Sequence, residues 1–428
     1  MPVSKSEPVA IIGAGVFGLA TALQLAQDGY TDVSVFEKDD QVPPRHSAAF
    51  DINKIVRPEY QDPWYTELTI KAIEAWKSPL YAPYYHETGF LHLVSGTAPQ
   101  QAADTRDSFV KTIRHHPRFE SILKNINSPE DIKQVAWQLD GEFPGWNGYF
   151  NPLAGYAHSA DALRGVYKAA AARGVKFFLG DQGDVAQLVY DQNHQATGVM
   201  TRSGRYHPAK VTVVAAGAAA ATLVPEVGQQ VVAKSWSLGH VRLTDEETSM
   251  LRGIPVTYAR DLGFYFEPDP KTNLLKICPM GGGYINTDPK TGVSLPPSLA
   301  DSDDVLPPDD ERRMRRLLRE SLPALADRPF VEKKLCWFAD TADSDFIIDY
   351  VPNTGSSVVV CSGDSGHLFK MFPIAGQWVH QLLQGDGQSE ARWRWKQKSD
   401  SKWAGGDVSW RLGQTKEFAE IKVPKAKL

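Results

Sequence analysis

Cysteine is scarce in this chain. Three in 428 residues, odd in number and far apart, argue against a disulfide framework and for a reducing compartment. Long hydrophobic runs are missing as well: no apolar stretch reaches the roughly 18–20 residues that a membrane span requires, so no membrane partner is expected. Basic charge is not in excess. Forty-six Lys and Arg against 51 Asp and Glu leave a net charge of −5, which lacks the electrostatic footprint of a nucleic-acid binder. The opening residues MPVSKSEP hold no apolar core, so no secretory signal is expected. The cysteines and histidines show no metal-ligand spacing, and no repeat or low-complexity segment stands out. What is present is an ordinary globular composition, 42% hydrophobic and 23% charged, and 428 residues suit two domains. Tryptophan is plentiful at eleven, which fits aromatic-walled pockets and core positions alike.

The most informative stretch begins at Val9: VAIIGAGVFGLATALQLAQDGYTDVSVFEK. A short apolar run leads into Gly13-Ala14-Gly15-Val16-Phe17-Gly18, a helical pattern follows, and a β-branched run ends at Glu37. This is a βαβ unit with the dinucleotide fingerprint. Gly13 permits the tight turn, Gly15 lets backbone approach a pyrophosphate, and Gly18 lets the helix pack close on the strand. The helix N-terminus offers free N–H groups to phosphates, and Glu37 is placed to accept from a ribose diol. By itself the unit suits FAD or NAD.

Further along, the pattern predicts a polar loop at 38–60, a helix at 61–80 and a strand at Tyr84–Leu93. A helix at 160–173 precedes strands at Val175–Leu179 and Val211–Ala215, the latter running into a glycine loop. Antiparallel strands are predicted at Trp236–Leu243, Pro255–Tyr258, Gly263–Glu267 and Leu274–Ile277. A charged helix at 309–322, a strand at Ser357–Cys361 and a helix after Pro373 complete the pattern, with 384–428 read as a loose wrapping arm. Strand-then-glycine segments at 9–18, 211–217 and 357–366 are expected to converge on one nucleotide. The fold class is therefore α/β: a discontinuous Rossmann-type domain with a second α+β domain built on a mainly antiparallel sheet. The expected divisions are 1–60, 145–230 and 335–428 for the nucleotide domain, and 61–144 and 231–334 for the substrate domain.

Beyond the fingerprint, a series of blocks runs through the chain in order: DINKIVRPEY at 51–60, GWNGYFNPLAGYAHSADAL at 145–163, VVAAGA at 213–218, GFYFEPDP…LLKICP at 263–279, CWFADTADSDFIIDY at 336–350 and GDSGHLFKMFPIAG at 363–376. With the pair Trp393-Arg394-Trp395, these resemble the FAD-dependent amine oxidases of the monomeric sarcosine oxidase family. The likeness is to the fungal branch of saccharopine/pipecolate oxidases and fructosyl amino acid oxidases. The resemblance implies FAD, tethered through a thioether at Cys336, and an oxygen-activating Lys276 near the flavin. It also implies cofactor contacts at Val16, Phe17, Lys38, Ser47, Lys54, Ala216, Gly217, Asp340, Gly363, Ser365, Gly366, His367 and Lys370, beside Gly13, Gly15, Gly18 and Glu37. His46, His240 and His367 are candidates for tuning the chemistry or for plain hydrogen bonding.

Substrate choice is where the chain departs from the amadoriase pattern. Arg57 falls where the sarcosine and saccharopine/pipecolate oxidases of the resemblance pair with a carboxylate, and Lys370 matches a second carboxylate-binding lysine. After Lys276 the chain reads Cys278-Pro279-Met280-Gly281, without the acid that grips sugar hydroxyls in fructosyl amino acid oxidases; a thioether is a poor acceptor. Arg411 is either a tail arginine on the same carboxylate or a surface residue. The resemblance thus implies oxidation of an N-substituted or cyclic amino acid by hydride transfer to flavin, with O₂ reduced to H₂O₂. Fructosyl amino acid oxidase and secondary-metabolite flavoprotein remain alternatives, and a pyridine-nucleotide dehydrogenase is disfavoured by the Cys336 and Lys276 blocks. A monomer is expected. The terminal Ala426-Lys427-Leu428 varies the Ser-Lys-Leu peroxisomal signal, implying an import receptor as partner.

Overall fold

The computed structural model describes residues 3–385, 387–396 and 412–421. A six-stranded sheet runs Ile347–Tyr350, Val358–Ser362, Val211–Val214, Val9–Ile12, Val33–Glu37, Lys176–Leu179. All its pairings are parallel except the edge strand Ile347–Tyr350. Its central strands are apolar without alternation because both faces are covered. The helix Val16–Gln27 packs against Phe372–Gln384 and Ser159–Ala171 on one face. Val9–Ile12 has Val33–Glu37 on one side and Val211–Val214 on the other, so the strand order switches direction there. The carboxyl ends of strands at such a point form a ready-made crevice.

A ten-stranded, mostly antiparallel sheet forms the second layer. Its path runs Lys416–Glu417, Tyr284–Ile285, Val232–Arg242, Leu274–Pro279, Gly263–Tyr265, Val256–Ala259, Phe90–Val94, Asn147–Asn151, Lys124–Ile126, with Phe330–Asp340 on the other edge of Val232–Arg242. The helix Pro308–Ser321 lies on this sheet. Met314, Leu317 and Leu318 face the core at helical spacing, while Asp309, Asp310 and Glu311 fill the first turn.

The structure departs from the sequence pattern in identifiable places. Tyr84–Leu93 is two strands, Tyr85–His86 and Phe90–Val94, because Gly89 turns the chain at φ +89° where a Cβ would lie 2.3 Å from the Phe150 ring. The predicted helix at 61–80 is Pro63–Trp76, started by the Asp62 side chain accepting from the Trp64 N–H. A three-stranded sheet of Val185–Tyr190, Ala196–Thr201 and Tyr206–Pro208 and the helix Gln100–Arg114 were not anticipated. Asn147–Asn151 belongs to the large sheet, and Phe330–Asp340 runs through position 335 without a break. The tail is not loose throughout: Trp393 is buried, and Lys416–Glu417 adds a strand beside Tyr284–Ile285.

Candidate active site

At the switch point the strands open onto a cavity of about 1110 Å³ walled by both large sheets. Gly13 turns the chain at φ +105°, where a Cβ would lie 2.5 Å from the Ala215 carbonyl oxygen. The helix Val16–Gln27 starts at Gly15 with neither a capping side chain nor a first-turn acid, leaving its first N–H groups free for an anion. Among the described residues, only the Ser47 hydroxyl, at 3.4 Å, would meet a Cβ on Gly15. The buried Glu37 carboxylate accepts from the Ala14 N–H at 2.9 Å and the Asp39 N–H at 3.0 Å. Burial pushes its pKa up against those two bonds, and a donating diol would favour its charged form. Backbone donors, an acid and a long cavity together fit a dinucleotide.

On the cavity wall, Cys336 sits on Phe330–Asp340 opposite Trp236. It is half-buried on the wall, its Sγ 3.4 Å from the Ala48 carbonyl and 3.8 Å from Lys54 Nζ. Cys278 and Cys361 also reach the wall but are buried; burial pushes the Cys278 thiol up to about 11 and that of Cys361 higher. Lys276, 1% exposed, donates to Asp51 Oδ2 at 2.5 Å and to the Asn53 carbonyl at 2.8 Å. Lys54 reaches the same Asp51 oxygen at 2.9 Å. Burial alone would raise the Asp51 carboxyl, yet Lys276, Lys54 and Lys334 hold it far below the usual carboxylate range. Two ammonium groups on one carboxylate leave this part of the wall positive.

At the far end the Arg57 guanidinium lies 4.9 Å from the Phe109 ring centroid and 5.4 Å from that of Phe90, and donates to the Glu59 carbonyl. Lys370 Nζ donates to the Tyr60 hydroxyl at 3.0 Å, which also bonds His367 Nδ1 at 2.9 Å. Burial, then Arg57, pushes the Lys370 pKa well below the usual lysine range, with Glu59 opposing. Met280 Sδ accepts from the Tyr258 hydroxyl at 3.0 Å, and the neighbouring wall residues Cys278, Pro279 and Gly281 bring no acid.

Most residues singled out in the sequence border this cavity, among them Val16, Phe17, Lys38, Ala216, Gly217 and Gly366. Four do not. Gly18 packs on the first strand, where a Cβ would lie 1.8 Å from the Gly13 carbonyl oxygen. Asp340 pairs with Lys234 at 3.0 Å, away from the wall. Ser365 is buried, with its hydroxyl at 3.1 Å from the Thr341 N–H, and Gly363 turns the chain at φ +72° against Thr341. His46 lines the cavity, whereas His240 bonds the Glu332 carbonyl at 3.1 Å and stands opposite Lys276 in the sheet. Arg411 and the terminal tripeptide lie outside the described residues. Asp51, Tyr60, Tyr258 and Arg260 are absent from the sequence reading of the site; the first two are the end residues of DINKIVRPEY, on either side of Lys54 and Arg57.

Residues 8–382 match the family described as FAD dependent oxidoreductase (DAO). L-saccharopine oxidase of Schizosaccharomyces pombe is 33% identical over 422 residues, covering 95% of this chain and 96% of the relative. Monomeric sarcosine oxidase of a Bacillus species is 23% identical, covering 87% and 91% of the two chains. Among solved structures, the deglycating enzyme fructosamine oxidase (Amadoriase II) of Aspergillus fumigatus superposes with a TM-score of 0.89 at 32% identity, covering 98% of this chain and 97% of the other. A match through both sheets and across the whole cavity makes the dinucleotide FAD, and the chain belongs to the DAO family of FAD-dependent oxidoreductases.

Proposed function

We propose that this enzyme oxidises a secondary amino acid, N-substituted or cyclic, with O₂ as electron acceptor. The observation that carries the reading is the far end of the cavity: Arg57 and Lys370 present two cations to a carboxylate, and Met280 leaves the adjacent wall without an acceptor for sugar hydroxyls. FAD, which the Gly13–Gly15 turn, the N-terminus of Val16–Gln27 and Glu37 would hold, would supply the two-electron oxidation of the C–H bond beside the amine nitrogen, the hydrogen leaving as hydride and the amine proton going to solvent, and the reduction of O₂ to H₂O₂. The protein's part is to hold the carboxylate between Arg57 and Lys370, and so to orient the amine with its lone pair free. Tyr60 and His367 set the direction of the Lys370 ammonium. Lys276, fixed by Asp51, supplies positive charge where charge develops on oxygen. Cys336 is the proposed point of covalent attachment: it is the cysteine left half-buried on the wall, with Lys54 beside its sulfur. The likeness to a fructosamine oxidase keeps a deglycating activity as the second reading.

Peroxide release from a substrate panel separates the two. Saccharopine, pipecolate and sarcosine are expected to outrun fructosyl-valine and fructosyl-lysine; the reverse order would establish the deglycating activity instead. Acid precipitation of the same protein is expected to leave a yellow pellet, and a yellow supernatant would refute the Cys336 tether. The proposed peroxisomal destination rests on Ala426-Lys427-Leu428, and removal of that tripeptide is expected to leave a fluorescent fusion in the cytosol. The name of the monomeric Bacillus relative supports a monomer, which light scattering would test.

A further inference from the structure

Arg260 follows the strand Val256–Ala259 and closes it with a backbone bond to the Leu93 carbonyl at 2.8 Å. Its side chain turns into the cavity, although the residue is 1% exposed. Nη1 donates to the Tyr258 hydroxyl at 2.9 Å, while Nε and Nη2 have no partner among the described residues. No carboxylate among the described residues lies within ion-pair distance of this guanidinium. The adjacent Asp261 accepts from the Ser95 N–H at 3.0 Å and from its hydroxyl at 2.6 Å. His92, behind Tyr258, does not help: burial and then Arg260 and Arg57 push its pKa well down, so it brings no charge. A buried guanidinium with two unbonded nitrogens is costly unless an anion completes it.

The place of this charge matters. The Phe109 ring has Arg260 at 5.1 Å and Arg57 at 4.9 Å from its centroid. Arg57 and Lys370 suffice for one α-carboxylate, so Arg260 is a third cation at the same end of the cavity. Its Tyr258 partner also holds Met280, which places Arg260 against the wall where the substituent on nitrogen would lie.

We propose that Arg260 binds a second carboxylate, carried on the chain attached to the substrate nitrogen, and that the enzyme therefore prefers secondary amino acids whose N-substituent carries a carboxylate over those whose N-substituent carries none. This rests on the reading of the site as a secondary amino acid oxidase. Nε and Nη2 form one edge of the guanidinium fork, the geometry that takes a carboxylate through two parallel hydrogen bonds.

The test compares saccharopine with pipecolate and sarcosine in the flavin-loaded enzyme and its Arg260→Met and Arg260→Lys variants. The parent enzyme is expected to favour saccharopine in kcat/KM. Arg260→Met is expected to reduce that preference by about 10- to 100-fold, the loss of a charge-assisted pair, with Arg260→Lys recovering part of it. Binding is read independently of turnover: glutarate and adipate should shift the melting temperature and flavin absorbance of the parent at lower concentration than acetate does. That comparison needs no variant, so it decides the matter even if Arg260→Met fails to fold. A preference for monocarboxylic substrates in the parent, or a ratio untouched by Arg260→Met, overturns the Arg260 proposal while leaving secondary amine oxidation standing. If no secondary amino acid reduces the flavin, that reading and this one fall together.

Discussion

Lys276 keeps its place in a buried wall because Asp51 is buried with it. An isolated ammonium there would be desolvated without compensation, whereas the 2.5 Å contact to Asp51 and the 2.8 Å contact to the Asn53 carbonyl fix Nζ in one position. Fixed charge needs no rearrangement when negative charge develops nearby, and that is the condition for electrostatic stabilisation. Lys276→Met is therefore expected to slow reoxidation by O₂ by roughly 10²-fold, about 3 kcal/mol, while anaerobic reduction by substrate changes much less. Stopped-flow traces of the two half-reactions measure this, and an unaltered oxygen rate would reduce Lys276 to a structural partner of Asp51. Lys370 calls for a pH argument. Burial, then Arg57, depresses its pKa, so in the free enzyme it loses its proton at a pH well below that of an ordinary lysine. A bound carboxylate favours the protonated form. Binding of a carboxylate inhibitor must then weaken as pH rises through that depressed pKa, and it must take up a proton over the same interval. Lys370→Arg, always charged, is expected to flatten the profile; a profile equally steep in the variant would place the titrating group elsewhere. Of these residues, Lys276 and Lys370 were legible in the sequence because they sit in recognisable blocks. Asp51 and Arg260 were not, because partner choice across 225 positions, or the lack of a partner, is a property of the folded wall.

At the scale of elements, the first βαβ unit was readable because each local signal agreed. The apolar strand, the glycine turn and the Ala/Leu-rich helix all specify the same geometry, and the structure gives Val9–Ile12, Val16–Gln27 and Val33–Glu37. The small sheet at Val185–Pro208 was less readable. Its strands carry exposed polar residues at uneven intervals and irregular register, so period-two alternation is blurred. Phe330–Asp340 was hidden for a different reason: its outer half is charged, and it is held as a strand by pairing along Val232–Arg242 instead of by its own pattern. The role of Gly18 makes the readable case testable. With Gly13 carbonyl oxygen 1.8 Å from where its Cβ would stand, Gly18→Ala must push the helix off the strand. Overpacking of this kind costs about 1–3 kcal/mol, and here it also displaces the helix N-terminus from the cavity. The variant is expected to melt earlier and to purify with less than stoichiometric FAD. Full flavin content with a parental melting curve would show that the backbone absorbs the methyl group.

Over the whole molecule, the chain returns repeatedly to the same cavity, and the last described stretches bind the arrangement together. Trp393 is 4% exposed, its ring 4.6 Å from Trp378, 5.4 Å from Trp64 and 5.9 Å from Phe346, so it joins three separate segments of the nucleotide-side core. Its indole N–H donates to the Tyr65 hydroxyl at 3.3 Å, and Tyr65 stacks on Tyr60 at 5.3 Å. Tyr60 in turn holds Lys370. A residue far along the chain thus packs behind Lys370, the proposed partner of the substrate carboxylate. Trp393→Ala removes a buried indole, which costs about 3–5 kcal/mol where the surroundings cannot collapse. It also leaves Tyr65 with one restraint fewer on the stack that positions Tyr60. The expected outcome is a lower melting temperature together with a raised KM for amino acid substrate, while Trp393→Phe recovers most of the stability. A drop in stability with KM unmoved would confine Trp393 to the core and detach the Tyr65–Tyr60 stack from substrate binding.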